Sequence, residues 1–166
     1  DAYPLKYSEM IIKTNDDTIL EAGCGNGRIL RYYHNKGYEI IGFDFIELAI
    51  EKLKETDTTL RVEVGDITNL RFENESFKYL LAFGLYHNLE NGLEASIAET
   101  NRVLQKEGLV CASFRADNIQ TRLTDWLTNR RSKNSVNNEP PVFHKMNLTR
   151  NEFSSLFNNN GFEIEN

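Results

Sequence analysis

Residues 18–28 read Thr-Ile-Leu-Glu-Ala-Gly-Cys-Gly-Asn-Gly-Arg. An apolar run with strand character empties into three glycines at every second position, Gly23, Gly25 and Gly27. A helical pattern follows over 28–36. This order restricts the chain to a strand, a tight turn and a helix, the opening of a βαβ unit. Glycines let the backbone turn sharply and come close to a ligand. The helix behind them offers amides and the positive end of its dipole. The spacing also separates ligand classes. A dinucleotide loop reads Gly-x-Gly-x-x-Gly, but the sixth position is Arg28 counted from Gly23 and Leu30 counted from Gly25. Neither register fits.

The rest of the chain repeats this alternation. Strand-like runs fall at 17–22, 38–44, 60–64, 77–83 and 109–114, each short and rich in β-branched, Leu or aromatic residues. Strands covered on both faces tend to read this way. Helical spacing appears from about Glu47, over 91–107 with Gly108 as a stop, and over 118–131, where Ile119, Leu123, Trp126 and Leu127 share a face. Thr149 and Glu152 have capping-box spacing ahead of Phe153, Leu156 and Phe157. Gly161 then closes that helix, and 162–164 is expected to begin another strand. The expected fold is α/β: a Rossmann-like, doubly wound, mostly parallel sheet with helices on both faces. The polar segment 133–141 is expected to be a mobile loop within one domain spanning 1–166.

Composition narrows the function classes. The 166 residues are 40% apolar and 27% charged, with a net charge of −6. No apolar run reaches the roughly 20 residues of a membrane helix, and no secretory pattern is visible, so the cytoplasm is the default expectation. Cys24 and Cys111 lie far apart, without metal-ligand spacing. An acidic total argues against nucleic acid as a partner, because phosphate neutralisation normally supplies much of that affinity.

Two aspartates close strand-like runs. Asp44 ends Tyr-Glu-Ile-Ile-Gly-Phe-Asp, roughly twenty residues after Gly23, where a carboxylate can accept both hydroxyls of a ribose. The structural alternative is a cap for the helix beginning near Glu47. Asp66 follows Leu-Arg-Val-Glu-Val-Gly and could accept a hydrogen bond from an adenine amino group. The alternative there is turn chemistry, which Asp-Ile-Thr-Asn suits well.

Taken in order, Glu-Ala-Gly-Cys-Gly-Asn-Gly, Gly-Phe-Asp, Gly-Asp-Ile, Ser-Phe-Lys-Tyr-Leu-Leu-Ala-Phe-Gly-Leu-Tyr-His-Asn-Leu and Arg-Val-Leu-Gln-Lys-Glu-Gly-Leu resemble the class I S-adenosylmethionine-dependent methyltransferases. The likeness is to the small-molecule branch called methyltransferase type 11, and it covers about residues 15–115. The resemblance implies S-adenosylmethionine as cofactor and S-adenosylhomocysteine as product. It implies that Glu21 and Gly23, with Gly25 and Gly27 of the same loop, face the methionine part. Asp44 would hold the ribose, Phe45 would lie against the adenine, Asp66 and the Ile67 amide would read its edge, and Phe83 would offer backbone to the methionine amine. Lys78 departs from the acidic residue usual there, at a position that is not a cofactor contact. The family fold also continues with an antiparallel seventh strand between the fifth and sixth, for which no sequence remains. The expectation is a shortened or truncated form, starting at Asp1 rather than Met, with a homodimer as one way to cover the exposed edge.

For the acceptor, His87 and Tyr86 follow the fourth strand where its pocket is expected. His87 is the candidate base and Tyr86 a candidate lining residue, each with simple packing as the alternative. Arg115, Arg122, Arg130, Arg131 and Lys133 read either as a solvated face or as a lid for an anionic acceptor. Tyr3 and Tyr7 could cover the site from the N-terminal side. The leading expectation is a methyltransferase for a small molecule. The alternatives are a tRNA or other nucleic-acid methyltransferase and a non-catalytic cofactor-binding subunit.

Overall fold

The computed structural model describes residues 3–89, 91–132 and 146–165. The segment 133–141, with Lys133, lies outside them. In chain order the elements are α1 (Tyr3–Ile11), β1 (Ile19–Ala22), α2 (Arg28–Asn35), β2 (Ile40–Asp44), α3 (Glu47–Thr56), β3 (Val62–Val64), β4 (Phe77–Ala82), α4 (Leu93–Val103), β5 (Leu104–Ala112), α5 (Ile119–Ser132) and α6 (Arg150–Asn159). Five strands form one sheet in the order β3-β2-β1-β4-β5, and every neighbouring pair is parallel. The order reverses between β1 and β4, which makes the carboxyl ends of these two strands the place where a ligand of such a sheet sits.

Alternation along the strands divides the core in two. Ile19, Tyr79 and Leu81 face Leu30 and Tyr33 of α2 and Ile50 and Leu53 of α3. Leu20, Leu80 and Ala82 face Ile97 of α4 and Phe157 of α6. Burial of both faces explains why the strands are apolar throughout. The N-terminal helix α1, which has no strong periodic signal, joins the first layer. Tyr33 Oη donates 2.8 Å to Ser8 Oγ in the interior, and Tyr32 bonds Glu9 outside it.

Two expectations need correction. The helix of 91–107 ends at Val103, and Gly108 lies inside β5 instead of stopping a helix. The reason is competition for carbonyls: the amides of Glu75 and Ser76 bond Arg102 O and Val103 O, turning the chain directly into the sheet. The extra residues form a bulge between the Phe77 and Tyr79 pairings, with Glu107 at φ 61°. The segment 162–164 is not a strand. Phe162 folds back onto Phe157, with ring centroids 5.3 Å apart. Phe162 and Ile164 instead line a groove of about 1000 Å³ along β5, together with Ile11, Leu109 and Cys111. A strand there needs a paired neighbour, and the outer edge of β5 has none among the described residues. Ile119, Leu123, Trp126 and Leu127 lie on α5, and all four are exposed. The capping box of Thr149 and Glu152 is formed as expected.

Gly27 sits at φ 70° as the residue before α2, and a Cβ there would stand 2.7 Å from Leu53 Cδ2. Gly27→Ala is therefore expected to lower stability by about 1–2 kcal/mol from the left-handed backbone alone, with more from displacing buried Leu53. Chemical denaturation checks this; an unchanged midpoint would show that the loop does not need this conformation.

Candidate functional site

The glycine loop is held by protein groups at four of its amides. Gly23 N–H and Cys24 N–H both donate to Phe43 O, each at 2.9 Å, and Gly27 N–H donates 2.8 Å to Cys24 O. Gly25 N–H donates 2.8 Å to Asp44 Oδ2. The tip of β2 thus fastens the loop that follows β1. An anion arriving at this loop would find the amides of Gly23, Cys24, Gly25 and Gly27 already engaged.

Under the loop lies Glu21, on β1 between Gly42 of β2 and Leu81 of β4. Its side chain is buried, and Oε2 has no hydrogen-bond partner. Burial pushes its carboxyl up to about 8, and Asp44 pushes the same way, while the Leu30 amide and the Arg28 charge oppose them. A buried carboxyl with an open oxygen costs free energy unless it is neutral or meets a cation. Its position beneath the glycine loop makes it a candidate functional residue. Cys24, also buried, has its thiol pushed up to about 12, mainly by burial and then by Glu21, so it is no nucleophile.

The other expected residues stand along the carboxyl ends of the strands. Asp44 accepts from the Ile46 amide through Oδ1 at 2.9 Å, so its carboxylate is oriented by two backbone donors. It does not cap α3, whose N-cap is Ile46. Phe45, next in sequence, is 77% exposed, and Ile46 and Leu48 beside it are also exposed. Such an apolar shelf is unusual unless something covers it. Asp66 is exposed; its Oδ1 accepts from Thr68 N–H and Thr68 Oγ1, both at 2.8 Å, and Ile67 is buried. The turn reading of Asp66 is therefore realised, in a place where the carboxylate still fronts the site. Phe83 follows β4, and the ring of Tyr3 lies edge-on to it at 6.4 Å. The rings of Tyr3 and Tyr7 on α1 meet at a tilt of 59° with centroids 4.8 Å apart, on the Phe83 side of the sheet.

Tyr86 is not an acceptor-lining residue. Its side chain is fully buried, its hydroxyl lies 2.7 Å from Thr100 Oγ1, and its ring packs on Phe157. The apolar spacing continues through the short 3-10 turn Tyr86–Asn88 and turns this ring into the core. His87, on the same turn, is half-buried, and its carbonyl accepts 2.9 Å from the Met146 amide. Two of the arginines read as a possible anion lid are committed elsewhere. Arg115 forms a bidentate pair with Asp125 and also bonds Asn147, while Arg122 pairs with Asp117. Arg115 thus fastens α5 and the segment before α6 to the end of β5.

Sequence reasoning missed three parts of the site. Leu85 closes over Gly23, where a Cβ would meet its Cδ1 at 3.3 Å. Ser113 Oγ accepts 2.9 Å from Gly84 N–H and ties the ends of β4 and β5 together. The Asp44–Gly25 bond is the third. None has a spacing signal, because each depends on which loops meet across the sheet.

A methyltransferase domain model matches residues 19–108, and the chain belongs to that family, with the fold of the class I S-adenosylmethionine-dependent methyltransferases. An uncharacterized methyltransferase of Schizosaccharomyces pombe is 23% identical over 120 residues, covering 69% of this chain and 83% of its own. A SAM-dependent methyltransferase from Methanosarcina mazei superposes with a TM-score of 0.79 at 20% identity, over 100% of this chain and 87% of that one. Another, from Thermotoga maritima, superposes with a TM-score of 0.73 at 20% identity, over 97% of this chain and 70% of that one. The match to the family model spans the strand-glycine-loop unit, Asp44, Asp66 and Phe83.

The raised Glu21 carboxyl has a consequence for stability. Its usual value is 4.5 and its folded value about 8. The folded state holds this proton more tightly than the unfolded chain does. Stability is therefore full below about pH 4.5 and is lost as pH rises towards 8. Glu21→Gln removes the titration. The variant is expected to gain stability relative to the native chain between pH 5 and 8, by up to the order of 4 kcal/mol. Melting curves of both proteins across that range check the sign; parallel curves would contradict it.

Proposed function

We propose that this protein transfers a methyl group from S-adenosylmethionine to a small-molecule acceptor. The observation that carries the cofactor assignment is the state of the glycine loop. Its amides at Gly23, Cys24, Gly25 and Gly27 are engaged by protein oxygens, and a buried carboxyl lies beneath them. A pyrophosphate needs free amides and no carboxylate below. A ligand with a cationic amino-acid end and a ribose suits the same geometry.

The residues fit such a ligand. The open Glu21 oxygen and the space at Gly25, where a Cβ would touch nothing within 4 Å, accommodate the methionine part. Asp44, oriented by two amides, takes the ribose hydroxyls. Phe45 covers the adenine, and Asp66 with the Ile67 amide reads its edge. The backbone at Phe83 meets the amine. When bound, S-adenosylmethionine supplies an electrophilic methyl on a positively charged sulfur. The chain's task is then to position the two reactants in line. His87, half-buried after β4, is the residue placed to hold a proton if the acceptor must lose one. A small acceptor is favoured by the net charge of −6 and by the pairing of Arg115 and Arg122 with Asp125 and Asp117, which leaves neither cation for a phosphate backbone. The Thermotoga protein, described as a possible histamine N-methyltransferase, carries the same fold.

Calorimetry is expected to show binding of S-adenosylmethionine and S-adenosylhomocysteine and none of NAD. Asp44→Ala should weaken binding by about 2 kcal/mol or more, roughly thirtyfold, since each charge-assisted bond contributes ~1.5–3 kcal/mol. NAD binding without adenosylmethionine heat would overturn the cofactor assignment. An unchanged Kd in folded Asp44→Ala would remove Asp44 from the site. An acceptor screen with labelled S-adenosylmethionine then tests the small-molecule assignment.

A further inference from the structure

The segment 65–76 joins β3 to β4 and carries Asp66 and Ile67. It forms no helix or strand of its own. Its regular content is a single bridge between Asp66 and Asn69, where Asn69 N–H donates 3.0 Å to Asp66 O. A connection of this kind takes its shape from whatever it is tied to.

The ties lead to α4. Glu99 and Arg102 sit one turn apart on this helix, close enough to pair. Glu99 Oε2 accepts Leu70 N–H at 2.7 Å, and Arg102 Nη2 donates 3.0 Å to Leu70 O. The backbone of Leu70 thus meets an acceptor and a donor from one helix turn, as it would from a neighbouring strand. Arg102 Nη1 donates 2.8 Å to both Phe72 O and Asn74 Oδ1, while Nε and Nη2 donate 2.7 and 2.8 Å to the two Glu99 oxygens. A guanidinium has five N–H donors, and these five bonds use them all. The other end of α4 stops the Asp66 turn. A Cβ on Gly92, the residue before α4, would stand 2.8 Å from Thr68 Cγ2. Thr68 in turn donates to Asp66 Oδ1 through its amide and its hydroxyl. One helix therefore holds the segment on both sides of Asn69.

We propose that Glu99 and Arg102 are positioning residues for base selection: they hold the segment after β3 so that the Asp66 carboxylate and the Ile67 amide accept an adenine edge and reject a hypoxanthine edge. The inference rests on the cofactor reading above. Adenine presents an amino group that donates to a carboxylate and a ring nitrogen that accepts from an amide. Hypoxanthine presents a carbonyl oxygen and an N–H in the same places, so both contacts turn repulsive. Such a choice needs both protein groups held within about 0.5 Å of their working places, because hydrogen bonds weaken steeply with distance and angle. Asp66 itself is exposed and lies on a turn, so that precision comes from the ties to α4. Asp44 is oriented separately, by the Gly25 and Ile46 amides. Loosening the α4 clamp therefore leaves the grip on the ribose in place.

The test compares binding of S-adenosylhomocysteine and S-inosylhomocysteine, which differ only at the base. Calorimetry is run on the native chain, Arg102→Lys and Glu99→Gln. Lysine keeps the charge but replaces the planar fork with one ammonium of three donors. Glutamine keeps an oxygen for the Leu70 amide and is the milder variant, which serves if Arg102→Lys does not fold. The native chain is expected to prefer the adenine ligand by at least about tenfold. In either folded variant the Kd for S-adenosylhomocysteine should rise towards that for S-inosylhomocysteine, while the latter stays within about threefold of its native value. A merely structural lesion would weaken both ligands alike. Asp66→Ala should lose the same preference, and adding Arg102→Lys to it should lose no more. Equal weakening of both ligands, or an unchanged preference in a folded variant, would overturn the positioning role and leave the cofactor assignment intact. A native chain that binds both ligands equally would also overturn it. A native chain that binds neither would remove the cofactor assignment as well.

Discussion

The carbonyl of Phe43 accepts the amides of both Gly23 and Cys24, and the site depends on this junction. It locks the loop after β1 to the tip of β2, and Asp44, one residue on, completes the join through Gly25. The loop's left-handed glycines then bring the chain back into α2 at Gly27. Two consequences follow from one geometry. The amides of Gly23, Cys24 and Gly25 are withdrawn from an anion cradle, and the Asp44 carboxylate is oriented before any ligand arrives. Preorganisation of this kind lowers the entropic cost of binding.

The sheet makes such a junction affordable by surrounding it with ordinary packing. Leu20, Ile19, Leu80 and Leu81 are fully buried, and both faces carry their own apolar cluster. The candidate site residues stand at the carboxyl ends, while the bulge with Glu107 lies at the opposite end of β4. At the carboxyl ends the loops after β1, β2, β3 and β4 converge, and Ser113, Arg115 and Asp125 stitch the end of β5 to its neighbours. Glu21 is the exception: a carboxyl placed within the sheet itself, where burial favours its neutral form. The division between a dry sheet and a polar rim is what allows this fold to carry chemistry at one end.

Much of this was legible in the residues. The strands β1, β2 and β4 follow from short apolar runs, with the ends of β1 and β2 and the start of β4 where the runs put them, and the glycine spacing alone argued against a dinucleotide loop. The capping box before α6 was readable because its two partners are three residues apart in sequence. Failures have a common cause in contacts between distant segments. The end of α4 is set by Glu75 and Ser76 taking its last carbonyls, which no pattern in 91–107 reveals. The alternating residues of 162–164 read as a strand, yet a strand is a pairing and not a property of one segment. Tyr86 follows a strand as a pocket residue would, but its ring completes the packing around Phe157. At the site, residue types fixed the chemistry of Asp44 and Glu21, while the hydrogen bonds that orient one and isolate the other appear only in three dimensions.

A crystal structure with S-adenosylhomocysteine would show which side chains hold the cofactor. The account places the ribose hydroxyls on Asp44, the adenine over Phe45 beside Asp66 and Ile67, and the amino-acid end over Gly23 with its ammonium towards Glu21. Density for the ligand away from the carboxyl ends of β1 and β2, or a bound ligand that leaves both Asp44 and Glu21 untouched, would contradict it.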